Sequence, residues 1–162
     1  MNTSISTASP AKSHPGAYNR FTHLCSKLQL PFLLAVRLYW GWQFTQTGWG
    51  KLHHLNRVGD FFAGLGIPAP HVMAPAIACL EFFGGILLIA GLGTRLIGLL
   101  LACNMFTAYL TADRGALAAI FSDPGKFYNA DPFTFLFASL IVLVFGAGFF
   151  SLDSFFFRRD RY

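Results

Sequence analysis

The chain has 162 residues, 54% hydrophobic and only 12% charged, with a mean hydropathy of +0.51. A soluble domain averages roughly 25% charged residues, so the composition excludes an ordinary soluble domain and indicates an integral membrane protein of one domain. The net charge of +5 does not indicate nucleic acid, because the basic residues form no helical stripe and sit mostly at the termini and in short turns, as topology signals do.

Residues 1–30 are polar, rich in Ser, Thr, Pro and basic residues, and too hydrophilic for the core of a signal peptide. They read as an N-terminal cytoplasmic tail with an interfacial turn around Phe21 to Leu28. The first span is expected over about 31–52, with Arg37, Gln43, Gln46 and Lys51 inside it. A span with that polar load must face neighbouring helices rather than lipid. Arg37, Gly41, Phe44, Gly48 and Lys51 recur at +4, +3, +4 and +3, which puts them on one helical face. The glycines on that face let another helix approach closely.

The connection 53–70 contains LNRVGDFFAGLG, apolar enough to lie at the interface as a short helix or loop. Pro70, after GIPA, suits the first turn of a second span over 71–92. The only charge between Val72 and Leu92 is Glu81. Glu81, Gly84, Gly85 and Leu88 follow i, i+3, i+4, i+7 and share a face. A tight turn, GLGTR, leads into a third span over 95–112, where Asn104, Thr107 and Thr111 lie on a broadly shared side. A second long connection, 113–131, carries the turn signal SDPG. A fourth, almost wholly apolar span is expected over 132–150, followed by a membrane-domain end at Asp153 and a basic cytoplasmic tail, 154–162.

The reading is therefore all-α, a four-helix transmembrane bundle. Lys12, Arg20, Lys27, Arg95, Arg158, Arg159 and Arg161 fall on one side of it, and Lys51, Arg57, Arg114 and Lys126 on the other. The positive-inside rule then places both termini in the cytoplasm.

A charge near the bilayer centre costs on the order of 3 kcal/mol unless it is paired, neutralised or hydrated. Glu81 and Asn104 both lie at roughly 13 Å depth by helix rise, and Arg37 at about 9 Å. A polar cluster of Arg37, Glu81 and Asn104 is expected, with Gln43 or Gln46 contributing. Three roles suit such a cluster. It can fix which helices touch, hold the carbonyls of a quinone head group while Glu81 relays protons, or line a path for a small solute or proton. Lys51 can snorkel to head groups or attract an anionic substrate.

No metal site is expected, since His53, His54 and His71 lie in or beside loops where histidines are mostly solvated. Cys25, Cys79 and Cys103 show no metal or redox spacing and read as small buried hydrophobes. Cys79 and Cys103 differ in depth by roughly 7 Å, too far for a disulfide within the allowed geometry. The chain also lacks a nucleotide-binding glycine loop, a CxxCH and paired intramembrane histidines. It does not read as a complete redox enzyme.

The stretches RLYWGWQFTQTGWGKL, FFAGLGIPAP, ACLEFFGGILLIAGLGTRL and GAGFFSLD resemble the DoxX family of small four-helix membrane proteins over about Leu34 to Asp153. Family members often carry an Asn-Gly-Glu-like turn before the last span. Here the stretch is Asn129-Ala130-Asp131, without the glycine, so a role for Asp131 does not carry over. The resemblance implies a cell inner membrane protein and a membrane subunit of an oxidoreductase system. Such a subunit would pass electrons from a sulfur compound or thiol partner to quinone, with a soluble or membrane partner subunit holding the redox centre. The alternatives are a non-catalytic anchor or assembly factor and a small-solute or proton carrier. The lipid bilayer is the one partner common to all of them, and a homo-oligomer is compatible with each.

Overall fold

The computed structural model describes residues 17–146, 148 and 151–157. These residues are all helix and connection. In chain order the helices are α1 (Ala17–His53), α2 (Leu55–Gly64), α3 (Pro70–Ala90), α4 (Thr94–Thr111), α5 (Arg114–Ala118), α6 (Pro124–Tyr128), α7 (Pro132–Phe145) and α8 (Leu152–Phe157). Two of them, α3 and α4, are long and apolar enough to cross a membrane, with mean hydropathies of 2.1 and 1.2.

α1 begins well before the expected first span, inside the segment read as a tail. It runs unbroken for 37 residues with Pro31 in its interior, about 55 Å by helix rise. Residues 17–30 contain neither glycine nor proline, and Thr22 and Ser26 return their hydroxyls to carbonyls one turn back. Nothing local therefore stops the helix before Pro31. Residues 1–16 and 158–162 lie outside the described residues, and with them the basic part of the tail expected over 154–162, whose first residues, 154–157, belong to α8.

The connections fold more fully than expected. α2 stands where a helix or loop was expected, and 113–131 contains α5 and α6 rather than turn alone. α7 ends earlier than expected, at Phe145. Gly146 adopts φ 74° and ψ −161°, which no helix continues, and its N–H closes on the Val142 carbonyl at 2.8 Å. At the other sharp turn, Gly91 takes φ 72° and Gly93 φ 60°, so α3 ends and α4 begins through left-handed glycines.

α1 packs against α3, α3 against α4, α4 against α7 and α7 back against α1. The α1–α3 seam is set by glycine. A Cβ on Gly85 would stand 2.5 Å from the Gly41 carbonyl oxygen, and one on Gly48 would stand 2.7 Å from Phe82 Cα. The two backbones thus touch where side chains would otherwise separate them, as small residues allow in membrane helices. Phe44, Leu88, Leu101, Met105 and Val142 fill the space between the helices, with Phe44 and Phe135 meeting edge to face at 4.8 Å. α2 lies across α3 near its N-terminus, its Gly59 pressed against the His71 ring.

Candidate functional site

Glu81 is 1% exposed, at the middle of α3 on the face that also holds Ala74, Ala78, Gly84, Gly85 and Leu88. Lys51, in the last turn of α1, donates to both carboxylate oxygens, at 2.6 Å to Oε1 and 2.7 Å to Oε2. Asn104 of α4 adds a third bond from its Nδ2 to Oε1 at 2.9 Å. Three helices thus meet on one carboxylate. A buried carboxylate without such partners would be strongly unfavourable, and the pairing leaves the cluster neutral as a whole.

Arg37 was expected in one cluster with Glu81 and Asn104, and it stands apart from them. The glycine contacts pair α1 and α3 antiparallel, so that Gly41 faces Gly85 and Gly48 faces Phe82. The same register sets Arg37 opposite Gly91, which is about 15 Å along α3 from Glu81 by helix rise. Lys51 falls only about one turn from Glu81, within reach of its long side chain. Arg37 instead serves the far end of α3. It is 1% exposed, and its Nε donates to the Leu88 carbonyl at 3.0 Å and its Nη2 to the Ile89 carbonyl at 3.2 Å. A cation there also meets the negative end of the helix dipole.

The glutamines do not join either centre. Gln43 is half-buried and donates to the Tyr39 hydroxyl at 3.2 Å, and Gln46 is exposed. His53, at the end of α1, and His54, just beyond it, bond the α1 carbonyls of Trp49 and Gly50. All three cysteines are free. Cys25 and Cys103 are exposed rather than buried, because they fall on the outward faces of α1 and α4.

The Lys51–Glu81–Asn104 cluster forms part of the wall of a cavity of about 560 Å³ between α1, α2, α3, α4 and the start of α7. That lies within the usual range for small-molecule sites, roughly 300–1,000 Å³. Val58, Phe61, Phe62 and Leu65 of the α2 region cover one side, and Met105, Ala108 and Phe135 line another. Thr47, Arg57, Thr107, Thr111 and Asp131 supply the remaining polar groups. Of these, Thr47, Arg57 and Asp131 escaped sequence reasoning as cavity residues. The available signal was the amphipathic pattern of 55–64, which implies that α2 folds onto something.

The polar wall has unused capacity. An ammonium carries three N–H donors and a primary amide two. The bonds to Glu81 use two N–H groups of Lys51 and one of Asn104. Lys51, with a third of its side chain exposed, and Asn104 therefore keep donors for a polar group entering the cavity.

At the opposite end of α3 a second polar centre ties the chain together. Asp153 accepts from the backbone N–H of Gly93 at 2.7 Å, and from the N–H and hydroxyl of Thr94 at 2.9 and 2.8 Å. Its own N–H donates to the Gly91 carbonyl at 2.9 Å. Burial raises the Asp153 carboxyl, but the bonds from Thr94 and Gly93 and the nearby Arg37 charge outweigh it and hold the group below the usual carboxylate value. This centre caps α4 and has the character of a fastening.

The DoxX family pattern matches residues 32–114. The chain belongs to the DoxX family. The match takes in Lys51, Glu81 and Asn104, and with the two apolar helices it makes this a DoxX-family membrane protein. Among curated proteins the chain is similar to "Putative oxidoreductase CatD" of Bacillus subtilis (strain 168). The two are 31% identical over 128 residues, covering 79% of this chain and 89% of that protein. No solved structure matches the chain.

Proposed function

We propose that this DoxX protein is a membrane subunit of an oxidoreductase system, and that its cavity receives the head group of a lipid-soluble redox compound of the quinone class. The observation that carries the reading is Glu81, buried on the wall of the cavity with Lys51 and Asn104 keeping donors beside it. A quinone carbonyl requires donors, and an apolar cavity with aromatic walls suits its ring and tail. Glu81 would take and release the proton that accompanies reduction. A sulfur or thiol compound would be the electron source, with the redox centre on a partner subunit. The similarity to a protein called an oxidoreductase supports the class of reaction. In this reading α1 and α7 join α3 and α4 as spans, and both termini face the cytoplasm across the cell inner membrane.

A second reading is favoured by one observation. Among the described residues no buried side-chain nitrogen or oxygen lacks a hydrogen-bond partner, so the Glu81 carboxylate is satisfied by the protein alone. On that account the protein is an anchor or assembly factor, and Glu81 only selects which helices meet.

Glu81→Gln separates the two. Protein level in the membrane and quinone reduction are measured in membranes that contain the partners. Normal level with lost turnover is the expected result. Unchanged turnover overturns the chemical role, and parallel loss of both favours the packing account.

A further inference from the structure

α1 carries a second stripe, on the side opposite to the face packed on α3. Tyr18, Phe21, Cys25, Leu28, Phe32, Ala35, Tyr39 and Trp42 follow one another at alternating steps of three and four, and every one is exposed. Tyr18 is 76% exposed, Phe21 62%, Leu28 57%, Phe32 56% and Trp42 56%. Leu24 and Leu38 widen the stripe on one flank, at 57% and 45%. Apolar residues repeating every 3.5 positions along a helix match another helix running beside it.

We propose that two copies of the chain pair in parallel along this outer face of α1. Two features select a second copy over lipid. The first is length. α1 spans about 55 Å, whereas a hydrocarbon core is about 30 Å thick. Acyl chains can cover Phe32 to Trp42, but Tyr18 to Leu28 extend beyond them, and the phase of the stripe continues unbroken through Pro31. A headgroup surface, lying across the helix axis, covers no stripe of that length and direction. The second feature is charge. Arg20, His23 and Lys27 are exposed on the helix away from the stripe, and the positions flanking it, Thr22, Leu24, Gln29 and Pro31, are uncharged. Two such basic helices meet without placing like charges against each other. Membrane insertion gives every copy the same orientation, so a pair related by an axis along the membrane normal is parallel and brings each stripe residue to its own counterpart.

The proposal rests on the placement of α1 across the membrane, and not on the redox reading. Its test is cysteine scanning of the full chain in isolated membranes, in a background of Cys25→Ser, Cys79→Ser and Cys103→Ser. Phe21→Cys, Leu28→Cys and a restored Cys25 sample the stripe. Arg20→Cys, His23→Cys and Lys27→Cys sample the back. Oxidative cross-linking is expected to give disulfide-linked dimer several-fold more strongly at the stripe positions than at the back ones. A water-soluble maleimide, applied from the side of the N-terminus, is expected to label the back positions. Labelling with cross-linking that is absent or even around the helix overturns the pairing, and α1 is then covered by lipid or another protein. Failure to label overturns the placement of the extension, and the proposal with it.

Discussion

Lys51 and Glu81, thirty residues apart on antiparallel helices, meet through both carboxylate oxygens at 2.6 and 2.7 Å. Glu81 is almost fully enclosed, whereas Lys51 keeps a third of its side chain open. The two partners are therefore unequal. Lys51→Met leaves a buried carboxylate with Asn104 alone, a loss on the order of 3 kcal/mol for a broken buried pair. Lys51→Met combined with Glu81→Met removes both charges and is expected to recover most of that loss. Unfolding of the detergent-solubilised protein, followed by intrinsic tryptophan fluorescence, measures both variants beside the wild type. A double variant no more stable than Lys51→Met would show that the pair is not the unit that matters.

The α1–α3 seam gives a second prediction. A methyl group on Gly48 has no room against Phe82 and Ala78, while one on Gly50 meets nothing within 4 Å. Gly48→Ala is expected to cost about 1–3 kcal/mol, as overpacking does. Gly50→Ala is expected to be neutral or to gain roughly 0.5–1 kcal/mol, because alanine restricts the unfolded chain. Gly48→Ala should also weaken the site, since pushing α1 outward draws Lys51 from Glu81. Membrane levels and unfolding midpoints of the two variants check the contrast.

That seam also marks what the sequence makes legible and what it does not. Arg37, Gly41, Phe44, Gly48 and Lys51 are visible as one face of α1, and Glu81 with Gly84 and Gly85 as one face of α3, because helical period alone reveals them. Which cation meets Glu81 is not visible, because it depends on which glycine of one helix lies on which residue of the other. Two glycine contacts, Gly41 on Gly85 and Gly48 on Phe82, shift the answer from Arg37 to Lys51. The extension of α1 before Pro31 was hidden by its polarity, since hydropathy locates membrane spans rather than helices. α2 was half legible. Its amphipathic pattern is readable, but that it folds over Glu81 to make a cavity is a tertiary fact.

Asp153 gives a pH dependence with a definite sign. Its carboxyl lies below the usual value of 3.8 in the folded protein, so the folded state binds its proton less readily than the unfolded chain. Its contribution to stability is fully present above 3.8 and is lost as pH falls through the lower folded value. Asp153→Asn removes that dependence. At neutral pH it is expected to cost about 1–2 kcal/mol, the scale of a lost helix cap. The gap in unfolding midpoint between wild type and Asp153→Asn should narrow as pH is lowered from 5 towards 3. A constant gap would mean that the carboxylate charge contributes nothing to the cap.

Arg37 and Glu81 were expected to form one cluster, and their separation can be tested directly. Arg37 binds the terminal carbonyls of α3, lies close enough to Asp153 for their charges to couple, and lines no part of the cavity. Arg37→Lys keeps the charge but loses the planar fork that serves two carbonyls at once. It is expected to lower stability by about 1.5–3 kcal/mol, the range for hydrogen bonds to charged groups. Because the cavity is formed towards the other end of α3, binding of a quinone analogue to the purified protein should change by less than about twofold, or 0.4 kcal/mol. Glu81→Gln is expected to show the reverse pattern, with a larger change in quinone affinity than in unfolding midpoint. Titration of the two variants with the same analogue, beside their melting curves, decides the matter. If Arg37→Lys weakens quinone binding as much as Glu81→Gln does, the two ends of α3 act as one site, and the division into a fastening and a binding centre fails.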